Sequence, residues 1–88
     1  LESSLGWRLD ILSLSAVQYA EAGRSIKLEV EDRPRVTGEL EWIIYAPDNW
    51  VWKSADGEEP VATEKIPEIL NRIRLAFWKL DMPIKEIV

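Results

Sequence analysis

Glu29 and Glu31, and again Glu39 and Glu41, stand two residues apart in the stretches SIKLEVE (25–31) and GELEW (38–42). Paired carboxylates are the groups that glycosidase-type acid–base chemistry uses. Here they would have to work alone, because the sequence has no histidine and no cysteine. That absence removes the best general base at neutral pH, the commonest metal ligand, thiolate nucleophiles and disulfides. Nothing marks out one acidic pair over another, and there is no Gly-rich phosphate loop, Ser nucleophile elbow or EF-hand spacing. The residues therefore point away from an enzyme. No catalytic residue and no metal ligand is assigned, and no cofactor is expected.

Tryptophan is the second residue type with something to offer. The stretch EWIIYAPDNWVWKSADG (41–57) holds three of the chain's five. Trp42 shares a strand face with Leu40 and Ile44 and reads as core, near Phe77 or Trp78. Trp50 and Trp52 fall i, i+2 on one face of a short segment between a turn and an acidic loop. Core packing and a binding role are both open for them; exposed aromatics in such places serve as anchors for partners. On the binding reading the contact set is Trp50, Trp52, Glu39, Glu41, Asp48, Asp56, Glu58 and Glu59. Trp78 lies off the main helical stripe and either covers the rim of the core or faces a partner.

Sixteen acidic residues against eleven basic ones give a net charge of −5, with no basic run. Nucleic acid is a poor partner for such a chain, since clustered Lys and Arg supply most of that affinity. A basic protein is the better match, and electrostatic steering would speed its association. No apolar run reaches the ~20 residues of a membrane span. ILSLSAV (11–17) followed by Ala20-Glu21-Ala22 imitates a signal peptide, but Glu2, Asp10, Ser13, Ser15 and Gln18 interrupt the pattern. The segment reads as folded structure of a cytoplasmic protein, a compartment that suits a chain without cysteine.

What must position these residues is a small scaffold. Eighty-eight residues, 47% hydrophobic, predict one domain over 1–88 that buries roughly 60–65% of its unfolded surface. Ile26, Leu28 and Val30 alternate with Lys27, Glu29 and Glu31 as a half-buried strand, joined through Ala22-Gly23-Arg24 to an earlier strand over 17–21. Val36 to Ala46 reads as the next strand, with Gly38 at a bulge or bend, and Trp50 to Lys53 as a short one before a loop over 56–60. Residues 5–16 fit a strand through Trp7, Leu9 and Ile11, although a helical stripe also passes through Leu9, Leu12, Ala16 and Tyr19. Ile66, Ile69, Leu70, Ile73, Phe77 and Leu80 mark an amphipathic helix over 63–80, with Thr63 as N-cap, Pro67 in the first turn and Pro83 ending it. PIKEIV closes the chain as a final short strand, with Ile84 inward. The expected class is α+β: a mostly antiparallel sheet with one C-terminal helix packed on one face.

Taken together, the turn AGRS (22–25), the strand KLEVE, the run GELEWIIYAPDNWVW with its acidic loop and Pro60, and the helix ATEKIPEILNRIRLAFWKLDMPIKEI resemble the family named immunity protein 74. The resemblance covers roughly residues 19–87. Members are small α+β proteins that neutralise toxins of bacterial polymorphic toxin systems, so the resemblance implies a binding protein without catalysis whose partner is another protein, such as a basic toxin domain. Two other readings stand beside it. One is a self-associating domain, a homodimer through Ile43, Tyr45 and Trp78; the other is a small-ligand pocket lined by Trp50, Trp52 and Tyr45.

Overall fold

The structure, a computed structural model, describes residues 1–88. Four strands form an antiparallel meander: β1 (Trp7–Ser13), β2 (Ala16–Glu21), β3 (Arg24–Pro34) and β4 (Leu40–Tyr45). A hairpin of β5 (Val51–Ser54) and β6 (Gly57–Pro60) follows, then a 3-10 turn (Thr63–Lys65), the helix α1 (Ile66–Lys79) and the last strand, β7 (Ile84–Ile87). β7 lies parallel to β4, which requires a crossover between them, and the hairpin and α1 make up that connection. The main sheet runs β1-β2-β3-β4-β7. The strand reading of residues 5–16 holds over Trp7–Ser13, where Trp7 and Leu9 are buried and Leu9 faces Tyr19 across the β1–β2 pair, but Ile11 is exposed, residues 14–15 form a turn and Ala16 opens β2. No helix is long and apolar enough to cross a membrane.

β3 is long enough to serve two neighbours on one edge. Along its first half it pairs with β2, from Arg24 opposite Glu21 to Glu29 opposite Ala16. On the other edge Glu29 to Pro34 pair with β4, while Ser25 pairs with Lys53 of β5. β4 and the hairpin thus lie end to end along β3.

Strand alternation sorts the side chains. One face carries Leu9, Tyr19 and Ile26 in a row, Val17 with Leu28, and Val30 with Ile44. These residues share one core with Trp42, Trp52, Val61 and, from α1, Ile69, Ile73, Ala76 and Phe77. The Phe77 ring meets Trp42 edge-on, 6.4 Å between centroids. At this period a residue set one turn apart on α1 reaches the same side; Ala76 belongs to the buried stripe, whereas Leu80 is 37% exposed.

Several local expectations need correction. Thr63 is not a capping side chain: the helical segment opens on a 3-10 turn after Ala62, and no side-chain cap bond is made. Pro67 does sit in the first turn of α1. Residues 57–60 form a strand, because the turn at Ala55-Asp56 folds them back onto β5. β4 begins at Leu40, not Val36; Gly38, at φ +88°, belongs to the turn before it, closed by bonds from Arg35 N–H to the Glu39 carbonyl and from Gly38 N–H to the Arg35 carbonyl.

Candidate protein-binding surface

The face of β3, β4 and β7 opposite the core carries three rows: Ala16, Glu29 and Tyr45; Glu31, Ile43 and Glu86; and Arg33 with Glu41. Their order follows from the alternation of KLEVE and EWIIY, which sends every second residue outward. Ile43 is only 2% exposed although it stands outside the main core. Its row neighbours are Glu31 and Glu86, whose aliphatic stems shield apolar surface while their carboxylates stay in water.

The carboxylates on this face are held in different ways. Tyr45 donates its hydroxyl to Glu31 Oε2 at 2.6 Å, and the Arg33 guanidinium adds two bonds to the same oxygen at 3.2 and 3.3 Å. The Tyr45 bond first, and Arg33 second, hold the Glu31 carboxyl below its ordinary value; the same bond raises the Tyr45 hydroxyl above its own. Glu41, 16% exposed, is met by Arg35 at 3.0 Å and by Lys85 at 3.9 Å. Glu29 and Glu86 form no ion pair, although Lys27 stands on the same face two positions before Glu29. The face gathers four carboxylates around a Tyr-containing centre, interspersed with Lys27, Arg33 and Lys85.

The expected contact set does not assemble in one place. Glu39 and Glu41 lie where β3 passes to β4, with Arg35 between them. Asp56, Glu58 and Glu59 lie on the β5–β6 hairpin, where Glu58 approaches Lys53 at 4.0 Å and Glu59 is bound by Arg24. Positions 25 and 33 of β3 mark the two sites, roughly 26 Å apart along a strand. Asp48 is exposed in the loop after β4.

The tryptophans divide as well. Trp52 is 2% exposed. Its ring lies 6.1 Å from that of Tyr19, and the Arg24 guanidinium caps it at 4.3 Å. It is therefore core, and a surface anchor at Trp52 is ruled out. Trp50 is half-buried against the same core. Tyr45 points to the other side of the sheet, so Trp50, Trp52 and Tyr45 do not line a common pocket. Ile43 and Tyr45 are likewise separated by the sheet from Trp78, which is 76% exposed on α1, and those three form no continuous self-interface.

A second cluster escaped the sequence. Tyr19 donates to Glu21 Oε1 at 2.9 Å and accepts from Arg72 Nη1 at 2.9 Å. Lys65 joins Glu21 at 3.2 Å to Glu68 at 2.9 Å, and Arg72 reaches Glu68 at 2.7 Å. Burial raises the Tyr19 hydroxyl above its ordinary value, with Arg72 acting against it. The signals for this ring of contacts were local, the i, i+3 spacing of Lys65 and Glu68 and the i, i+4 spacing of Glu68 and Arg72, whereas the Tyr19–Arg72 bond spans 53 positions. Its members tie the helix to the sheet, with Glu68 at the solvent side.

Counted over the whole chain, eight carboxylates and eight basic side chains meet a partner of opposite charge, which leaves eight carboxylates against only Lys27, Arg74 and Lys79. No three acidic groups are placed to share a metal ion. Comparison with known protein families, curated proteins and solved structures finds no match.

Proposed function

We propose that this chain is a small, non-catalytic protein-binding module of the inhibitor or immunity type, and that it occupies a basic partner protein through the open face of β3, β4 and β7. The observation that carries the reading is the set of four carboxylates, Glu29, Glu31, Glu41 and Glu86, gathered on three neighbouring strands around Tyr45 and the buried Ile43. Two of the four lack an internal counter-ion. The Glu31–Arg33 pair is exposed enough to be exchanged for a partner's Lys or Arg at small cost, while the less exposed Glu41 keeps Arg35 and Lys85. Glu39, next to Glu41, and Asp48, in the loop after Tyr45, extend the acidic surface from the contact set expected of the sequence.

Clustered carboxylates of this kind draw a partner's Lys and Arg side chains and fix its orientation, while Tyr45 supplies a rigid contact with a polar tip. The resemblance of residues 19–87 to the immunity protein 74 family points the same way, toward a basic toxin domain as the partner class. Freedom from cysteine suits action in the cytoplasm.

The test uses the chain as bait in lysate of its native host, at low and high salt, beside a Glu29→Lys/Glu31→Lys variant shown by circular dichroism to be folded. Support is a basic protein captured by the unaltered bait at low salt only, missed by the variant, and inhibited in its own activity by the purified chain. Equal capture by both baits, or recovery of nothing but the chain itself, overturns the reading.

A further inference from the structure

Trp78 is a large aromatic side chain that the fold leaves outside, 76% exposed near the end of α1. An indole in water at that position contributes little to stability, and it is the residue type most enriched at the centres of protein interfaces. Leu75, one turn earlier and 43% exposed, continues the same apolar stripe.

Two grooves meet at Trp78. One, of about 670 Å³, is lined by Leu40, Trp42 and Met82 and rimmed by Asp81 and by Glu39 with its partner Arg35. The other, of about 390 Å³, lies toward β7 and is rimmed by Arg74, Lys85 and Glu86. Charges of both signs thus flank one exposed indole.

The charges nearest Trp78 are unspent. Arg74, four residues before it, bonds only to the Asn71 side chain at 3.1 Å and meets no carboxylate. Asp81, three residues after it, meets no basic group. Asp81 is also costly where it stands. Its φ of +57° is left-handed, and a carboxylate at a helix C-terminus faces the negative end of the helix dipole. Backbone bonds from Asp81 N–H to the Trp78 carbonyl and from Met82 N–H to the Phe77 carbonyl fix it there, in the arrangement that glycine usually completes.

We propose that this face binds a second copy of the chain in a two-fold symmetric dimer, with each Trp78 seated in the other copy's Leu40–Met82 groove. A two-fold axis beside Trp78 and perpendicular to α1 sets the two helices antiparallel, so that the position four before the indole meets the position three after it on the partner. Arg74 of each copy then faces Asp81 of the other. Both unpaired charges find a partner in one operation. This proposal does not rest on the open face, of whose carboxylates only Glu39 and Glu86 also border the grooves.

Sedimentation velocity of the purified chain, from micromolar to about 1 mM, tests it. The expected result is a monomer–dimer equilibrium that Trp78→Ala abolishes. Arg74→Asp and Asp81→Arg should each weaken the dimer at least about tenfold, and the double reversal should restore it. Glu29→Lys/Glu31→Lys should leave it unchanged, which separates this face from the other. A monomer at every concentration, a dimer indifferent to Trp78→Ala, or a double reversal that fails to restore what the single ones lost overturns the proposal.

Discussion

At the end of the sheet beside the β2–β3 turn, Arg24, Lys65 and Arg72 all close on carboxylates of the same chain, whereas at the end where α1 stops Arg74 and Asp81 stand apart on either side of an exposed Trp78. Each end also carries a tryptophan, Trp52 beneath Arg24 at the first and Trp78 at the second. The residue types are alike and the surroundings are not. At the first end every one of these charges is paired, although Arg24 Nε and Trp7 Nε1 lack a hydrogen-bond partner; at the second two whole charges are unpaired beside an exposed indole, the combination taken as a place for a partner.

The sharpest way to break this comparison is to remove each indole. Trp52→Ala should destabilise the chain by about 3–5 kcal/mol in urea unfolding, and Trp78→Ala by no more than about 0.5 kcal/mol. Equal losses would erase the distinction between the ends. Next comes Tyr19→Phe, which takes away a hydroxyl bonded to both Glu21 and Arg72 and strands those groups. A loss of about 1–3 kcal/mol is expected, and a neutral result would mean that the ring of contacts does not fasten the helix.

Backbone strain gives a smaller and more telling contrast. Ala22 at φ +50°, followed by Gly23 at +75°, occupies a two-residue turn that prefers Asn-Gly. Ala22→Asn should add about 0.5–1 kcal/mol with no effect on association. Asp81→Gly should add a similar amount but weaken the dimer, the usual exchange of function for stability. If both variants leave association untouched, strain at the two ends has the same meaning and the comparison fails.

The least effect belongs to the exposed Lys65–Glu68 pair. The Lys65 bond, foremost, holds Glu68 below its ordinary 4.5, so its contribution is present above that value and lost as pH falls through the folded one. The same bond, foremost, holds Lys65 above its ordinary 10.5; that contribution is present below 10.5 and lost as pH rises through the folded value. Glu68→Gln should flatten the acid limb of the stability–pH curve and change little at neutral pH. An acid limb of unaltered slope would assign the acid sensitivity to other carboxylates.

Much of this architecture was legible because it is local. Ile26, Leu28 and Val30 declare a strand by alternation, Ile69, Ile73 and Phe77 declare a helix by their spacing, and Pro83 stops it. What remained hidden depends on partners distant in sequence. Trp50 and Trp52 look equivalent in WVW, yet only pairing of Lys53 with Ser25 decides that Trp52 slides under Arg24 and beside Tyr19. Gly-Glu-Glu-Pro has no strand composition and becomes β6 because the turn before it leaves no other course. The acidic residues were visible one by one, but not that Glu41 and Glu59 would sit at opposite ends of β3. Trp78 lies off the buried stripe, which in the sequence left rim cover and a partner contact both open; only the folded chain shows it 76% exposed.

The parallel seat of β7 on β4 carries a consequence in time. Contacts within β1–β4 join neighbours along the chain, starting from a two-residue turn, while Trp42 meets Ile84 only after the 41 intervening positions have been ordered. Loop closure of that length is entropically slow. The meander should therefore form the folding nucleus and β7 dock last. In native-state hydrogen exchange the β7 amides should open at lower free energy than those of β2 and β3, so that the groove beside Trp78 is built on the part of the molecule that comes loose most readily.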